Sequence, residues 1–112
     1  MQKIIDVFKK EKRTLTRIEL RMSICESLAQ TAEESAELAQ AALKLRRAID
    51  GSNPTPKSIH EATDAFNEEL ADVLLAAYVA GYDEDAVAKN IKRKIKRWIE
   101  RLDHNGRRGN EF

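Results

Sequence analysis

Apolar residues recur at helical spacing along most of the chain. Between residues 24 and 50 they fall three or four positions apart, as they do on one face of an α-helix. Ser23 and Glu26, at the start of this stretch, have the pattern of a capping box, and Gly51 after it is a typical helix stop. The pattern therefore predicts one long helix from about residue 24 to residue 50.

A second helix is predicted after the loop GSNPTPK at residues 51–57, because two prolines and a glycine break any helix there. Ser58 and Glu61 have the pattern of another capping box, and the apolar stripe that follows ends at Gly81. Since the loop is short, the two helices are expected to pack antiparallel as a hairpin.

The last helix is predicted from the cleanest apolar stripe in the chain, which runs from Val87 to Leu102. Asp83 is a good N-cap for it, and Gly106 is its predicted end. The tail, residues 105–112, is expected to be flexible.

Residues 2–13 carry aliphatic side chains among lysines and predict a short amphipathic helix, while residues 14–22 fit either an extension of that helix or a bend. Aromatic residues make up only 5% of the chain, which argues against a sheet-rich fold. We therefore expect one all-α domain over residues 1–112, an antiparallel hairpin plus a C-terminal helix resembling a four-helix bundle and assembled as an oligomer.

Composition excludes several classes of protein. The formal net charge of +1 does not indicate a nucleic-acid or membrane partner. Cys25 is the single cysteine, so neither an internal disulfide nor a cysteine-based zinc site is possible. The first residues do not resemble a signal peptide, and no stretch approaches the ~20 apolar residues of a membrane span. A cytoplasmic protein is the expectation.

Candidate chemistry lies in two acidic pairs, Glu34 with Glu37 and Glu69 with Asp72. A spacing of three places each pair on one helix face, and both pairs lie about 20 Å from the hairpin loop at ~1.5 Å rise per residue. In an antiparallel hairpin the pairs would face each other, and four carboxylates repel unless a cation neutralises them. Oxygen ligands of this kind suit Mg²⁺ or Mn²⁺. On spacing alone, a solvated acidic face is the commoner outcome.

The sequences around these pairs, AEESAELAQA at residues 32–41 and EELADVL at residues 68–74, resemble the paired signature of the MazG-like, all-α nucleoside triphosphate pyrophosphatases. The match spans roughly residues 24–102. It implies Mg²⁺-dependent hydrolysis of (deoxy)nucleoside triphosphates to monophosphates and pyrophosphate, with house-cleaning of the nucleotide pool as one expected role.

The resemblance also implies roles for particular residues. Glu34, Glu37, Glu69 and Asp72 match the Mg²⁺ ligands, and Glu33 matches the first glutamate of the motif. Glu33 could bind a metal, orient the attacking water or support the helix. Glu33 and Glu37 are the candidates for orienting that water.

The last helix is basic around its apolar stripe, which fits a solvated face or a surface that binds nucleic acid. The resemblance implies a third use, because the family often places Lys-x-x-Arg followed by an aromatic residue near the triphosphate. Lys94, Arg97 and Trp98 match that pattern loosely, and Lys92 or Arg93 could take the same role. Trp98 also fits a core or interface anchor.

Three helices and a short one are too few to enclose a nucleotide, so we expect a homodimer or homotetramer whose base pocket is shared between subunits.

Three rival interpretations stay open. One is an oligomeric helical module that binds nucleic acid or assembles without catalysis, and another is a relative that cleaves phosphoribosyl-ATP. The third is a catalytically silent member of the MazG-like family.

Overall fold

The computed structural model describes residues 1–52 and 58–109, with side chains up to residue 105. This part of the chain forms five α-helices and no strand, which confirms the all-α prediction. The helices are α1 (Ile4–Lys10), α2 (Lys12–Glu19), α3 (Ile24–Asp50), α4 (Ile59–Ala80) and α5 (Glu84–Gly109). Among these described residues, no helix combines the length and apolar character that crossing a membrane requires.

Local signals at both ends fix the bounds of α3. The Ser23 hydroxyl accepts a hydrogen bond from the Glu26 backbone N–H at 3.0 Å, and the Glu26 carboxylate accepts one from the Ser23 N–H at 3.0 Å. Gly51 adopts the left-handed conformation, with a φ of 66°, that ends a helix. The predicted helix over residues 24–50 is confirmed. Of the predicted loop, residues 53–57 lie outside the described residues.

The N-terminus of α4 carries a modified form of the expected cap. The Ser58 hydroxyl accepts a hydrogen bond from the Glu61 N–H at 3.1 Å, as predicted. The Glu61 carboxylate, however, accepts from the Ser58 hydroxyl at 3.2 Å instead of from the backbone. Half of the predicted capping box therefore forms, and it is sufficient to start the helix. At the other end, α4 stops before Gly81, as predicted.

The N-terminal segment differs from the predicted single helix over residues 2–13. It forms two helices separated by a bend at Glu11, whose ψ of 12° departs from helical geometry. The segment that the sequence left ambiguous is helical as far as Glu19. Phe8 on α1 stacks on Tyr78 of α4 at a centroid distance of 4.6 Å, while Leu15 on α2 is buried. The bend arises where two short helices make separate contacts, which the local pattern does not encode.

α3 and α4 form the main helix pair of the first compact unit, Met1–Gly81. They run antiparallel, because Glu34 lies beside Asp72 while Glu37 lies beside Glu69. The buried residues on these two helices are small: Ser27, Ala41, Ala62 and Ala76. Small side chains let the two helices approach closely and leave space beside them, and this arrangement positions the candidate site.

The second compact unit, Tyr82–Phe112, contains α5. The Asp83 carboxylate accepts a hydrogen bond from the Ala86 N–H at 3.0 Å, which confirms the predicted cap. The helix continues to Gly109, so the predicted end at Gly106 is wrong. A glycine inside a helix costs only ~1 kcal/mol and does not end it without a change of backbone conformation. Of the tail expected to be flexible, residues 110–112 lie outside the described residues.

Candidate metal centre

Four carboxylates from the hairpin come together, as the sequence predicted. One oxygen from each of Glu34, Glu37, Glu69 and Asp72 lies within 4.8 Å of one from every other member. We call these four residues the acidic cluster. Two come from α3 and two from α4, and the antiparallel packing of these helices brings the pairs to the same level. The predicted geometry is confirmed, while the role of the four residues as metal ligands stays a prediction.

The acidic cluster is only partly hydrated. Glu34, Glu69 and Asp72 are half-buried, and Glu37 is exposed. The Oε2 atoms of Glu34 and Glu69 are out of contact with water and have no hydrogen-bond donor. A buried carboxylate oxygen without a donor is costly, because its hydration is lost and nothing replaces it. A purely solvated acidic face would not contain such atoms.

Among the described residues of the first unit, no basic side chain forms an ion pair with the acidic cluster. Within residues 1–52 and 58–81, the ion pairs are Arg46 with Asp50 and His60 with Asp64, and neither includes a member of the cluster. In the same described residues, Oε1 of Glu34 accepts a hydrogen bond from the neutral side-chain amide of Gln30 at 2.7 Å. The ion pairs of this part of the chain therefore do not offset the negative charge of the cluster.

Two members of the acidic cluster, Glu34 and Glu37, have raised pKa values, and the neighbouring negative charges contribute to both. Burial is the main cause that raises the pKa of Glu34, and the charges of Glu37 and Asp72 add to it. The pKa of Glu37 is raised mainly by the negative charge of Glu69, with burial adding to the shift. Both shifts mean that the ionised cluster is disfavoured while no cation is bound.

The arrangement fits a small, hard divalent cation. Opposite ligands of an octahedral Mg²⁺ lie about 4.2 Å apart, twice a bond of ~2.1 Å, and the four oxygens fall within a comparable span. All four donors are carboxylates, which Mg²⁺ and Mn²⁺ prefer over softer ligands. The two buried, undonated oxygens of Glu34 and Glu69 are the atoms that such an ion would satisfy.

Glu33 does not join the other four. It is exposed and lies outside the group of mutually close oxygens. Its negative charge nevertheless contributes to the raised pKa values of Glu34 and Glu37, so it lies within electrostatic range of both. Its role in orienting water stays a prediction.

The predicted substrate residues Lys94, Arg97 and Trp98 lie on α5, in the second unit, and all three are exposed. Arg97 and Trp98 follow Lys94 by three and four positions, so the three share one side of the helix. Their assignment to the triphosphate stays a prediction.

Two recesses adjoin the acidic cluster within the first unit. The aliphatic recess, of about 180 Å³, is lined by Ile18, Met22, Ser27, Gln30, Leu75 and Val79, together with Ala76 and with Glu34 and Asp72 of the cluster. The lysine recess, of about 340 Å³, is lined by Gln40, Ala41, Lys44, Ala62 and Ala65, together with Glu37 and Glu69 of the cluster. Each recess thus receives two of the four carboxylates.

Comparisons with models of protein families, with curated proteins and with solved structures gave no match. The similarity to MazG-like enzymes accordingly rests on the two acidic motifs.

The sequence interpretation missed the side chains that surround the cluster. Gln30 precedes Glu34 by four positions, and Gln40 and Lys44 follow Glu37 by three and seven, so helical spacing places them along the same face. That signal was present, although Lys44 equally fits a cation placed near the end of a helix. The contribution of Ile18 and Met22 carried no such signal, because it depends on where the N-terminal segment packs.

Proposed function

We propose that the chain is a Mg²⁺-dependent nucleoside triphosphate pyrophosphohydrolase of the MazG-like kind. The observation that supports this most is the acidic cluster, whose four carboxylate oxygens converge within 4.8 Å without an ion pair to a basic side chain among residues 1–52 and 58–81. The two acidic motifs add the class of reaction, because they match those of enzymes that release pyrophosphate. Mn²⁺ is the expected substitute metal.

In this proposal Glu34, Glu37, Glu69 and Asp72 hold the metal. When bound, Mg²⁺ neutralises phosphate charge, polarises a phosphoryl group and lowers the pKa of water. The protein contributes fixed positions for the ligands. The amide of Gln30 donates to Oε1 of Glu34 and so restrains the orientation of that carboxylate.

The reaction transfers a nucleotidyl group to water. A water oxygen bonds to the α-phosphorus, and the bond from that phosphorus to the bridging oxygen breaks. Pyrophosphate leaves with the bridging oxygen and its electron pair, while a carboxylate accepts the proton of the water. Glu37 is proposed for this role because it is the exposed member of the cluster, and Glu33, which is also exposed, is the second candidate.

The basic residues Lys94 and Arg97, with Trp98 beside them, are proposed to contact the substrate. Support comes from the family pattern of a basic pair followed by an aromatic residue, and from the exposure of all three side chains. Planar, bidentate recognition of phosphate is what a guanidinium provides, while an ammonium acts as a point charge.

A homodimer or homotetramer is proposed as the working form. Along α5 the apolar residues Ile91, Ile95 and Trp98 are 54%, 62% and 63% exposed. In the first unit, Ile24 and Leu28 on α3 are also more than half exposed. Apolar side chains that recur along whole helices are typical of surfaces that become buried on association.

The direct test is hydrolysis of a panel of (deoxy)nucleoside triphosphates in Mg²⁺, with pyrophosphate and inorganic phosphate measured separately. We expect pyrophosphate as the first product from at least one substrate. Glu34→Ala and Asp72→Ala should each lower kcat/KM by ~100-fold or more, because each removes a metal ligand. Glu68→Ala is the matched control, since Glu68 is exposed and outside the cluster.

Inorganic phosphate as the first product would refute the assignment. So would full activity in folded Glu34→Ala and Asp72→Ala proteins.

A nucleic-acid-binding module is the second candidate, because seven exposed basic residues line α5: Lys89, Lys92, Arg93, Lys94, Lys96, Arg97 and Arg101. Binding of this kind would persist in EDTA and weaken steeply as salt rises. The hydrolase proposal expects no tight binding of RNA or DNA under those conditions.

A further inference from the structure

The two recesses beside the acidic cluster differ in chemistry. Glu34 and Asp72 line the aliphatic recess, while Glu37 and Glu69 line the lysine recess. Because α3 and α4 run antiparallel, the recesses follow one another along the helix pair with the carboxylates between them. A ligand held at the cluster therefore has two different surroundings, one on each side.

The aliphatic recess suits a small, uncharged group. Its walls are mainly the side chains of Ile18 on α2, Met22 in the turn before α3, and Leu75 and Val79 on α4. At about 180 Å³ it is smaller than the ~300–1,000 Å³ of sites that enclose whole drug-sized ligands, so it fits one ring system better than a whole nucleotide. Gln30 adds a polar group that can bond to the edge of a ring.

The lysine recess suits an anion. Lys44 is the basic side chain in its walls, and Gln40 is a neutral donor one helical turn earlier. Ala41, Ala62 and Ala65 are small and leave room for a bulky, hydrated group. Glu37 and Glu69 also line this recess, so a phosphate group is expected to bind there only with the divalent cation that the cluster is proposed to hold. A lysine ammonium offers three donors and no acceptor, which suits phosphate oxygens.

We propose that a nucleoside triphosphate lies along the α3–α4 pair, with its base in the aliphatic recess and its β- and γ-phosphates in the lysine recess, where Lys44 binds the departing pyrophosphate. This inference rests on the proposed hydrolysis, and it assigns a direction to the substrate. The opposite direction would place multiply charged phosphates against aliphatic walls, which costs far more than seating a base there. Lys44 thereby becomes a substrate-binding residue of the first unit.

The experiment measures equilibrium binding of the two products separately, by calorimetry in Mg²⁺, using inorganic pyrophosphate and the four common deoxynucleoside monophosphates. Lys44→Gln should weaken pyrophosphate binding by about tenfold or more, because a charge-assisted contact is lost, and should leave monophosphate binding unchanged. Arg46→Gln is the matched control. It removes the same charge from the same helix, where Arg46 makes only a surface ion pair with Asp50.

The assignment of the base to the aliphatic recess is tested by larger side chains that fill the recess. Val79→Phe should weaken binding of the preferred monophosphate by about tenfold and leave pyrophosphate binding unchanged. Leu43→Phe, at an exposed apolar position outside both recesses, is the control. Ile18→Trp narrows the same recess from α2 and replaces Val79→Phe if that protein does not fold.

The inference is supported if Lys44→Gln weakens only pyrophosphate binding and Val79→Phe weakens only monophosphate binding. It is overturned if Lys44→Gln and Val79→Phe weaken both products equally, if neither changes either product, or if the unmodified protein binds neither. Hydrolysis is scored separately. A protein that binds both products with these selective effects but releases no pyrophosphate contradicts the proposed function while retaining the assignment of the recesses.

Discussion

The raised pKa of Glu37 makes the metal-free site sensitive to pH. The ordinary value for such a carboxyl is 4.5, and the negative charge of Glu69 is the main reason for the higher value in the folded protein. Between these two values the folded protein binds more protons than the unfolded chain. The free energy of unfolding therefore falls as pH rises through this window, and the loss is complete above the folded pKa.

Glu37→Gln should stabilise the protein in EDTA at neutral pH, because it removes this repulsion. The variant is expected to melt at a higher temperature than the unmodified protein at pH 7, and the difference should close at about pH 4, where the carboxyl is protonated. Thermal unfolding at the two pH values measures the effect. Glu68→Gln, an exposed glutamate outside the cluster, controls for a general change in charge. An equal gain from both substitutions would show that repulsion within the cluster is not the cause.

At the scale of elements, the parts that the sequence predicted are those with local causes. The bounds of α3 follow from the capping box at Ser23 and from Gly51, and the start of α5 follows from Asp83. The bend at Glu11 depends on contacts that Phe8 and the following helix make elsewhere in the first unit. A pattern along the chain does not contain those contacts.

The candidate site also has a part that the sequence predicts and a part that it does not. The spacing within each acidic pair and the short loop were enough to predict that the pairs meet, because both are properties of a hairpin. The recesses were not predictable, since the aliphatic one requires α2 and Met22 to lie beside α3 and α4. Helical spacing places Gln30 and Lys44 on the face of the acidic pairs, whereas their proposed roles depend on the recess that each one lines.

Close packing of α3 on α4 depends on Ala62, which is 1% exposed. Ala62→Leu should force the helices apart, cost ~1–3 kcal/mol of the free energy of unfolding and weaken Mg²⁺ binding, because the two acidic pairs separate. Chemical unfolding and metal titration measure the two effects. Ala39→Leu on the exposed surface of α3 is the control, with an expected change below ~0.5 kcal/mol. A tolerated leucine at position 62 with unchanged metal affinity would contradict this account of the hairpin.

At the scale of the whole molecule, most of the buried side chains in the described residues are small. Leu15 is the one large apolar side chain among the buried residues of the described part, and the others there are three alanines and a serine. A small domain with so modest a core gains stability by burying more apolar surface on association. This reasoning, together with the exposed stripe of α5, is the physical basis for the proposed oligomer.

Light scattering coupled to size-exclusion chromatography should give a mass of two or four chains. Ile95→Asp should shift the protein toward smaller species, because a charge is introduced into the apolar stripe of α5. Arg93→Asp is the control, since residues two positions apart lie on opposite sides of a helix. A stable monomer of the unmodified protein at micromolar concentration would refute the proposed assembly.

We propose that the four carboxylates of the acidic cluster bind a divalent cation. Titration of Mn²⁺, followed by its electron paramagnetic resonance signal, tests this without reference to any substrate. We expect saturable binding to the unmodified protein, a loss of affinity of ~10-fold or more in Glu34→Gln and in Asp72→Asn, and unchanged affinity in Glu68→Gln. Equal affinity in all four proteins, or no saturable binding in any of them, would contradict it.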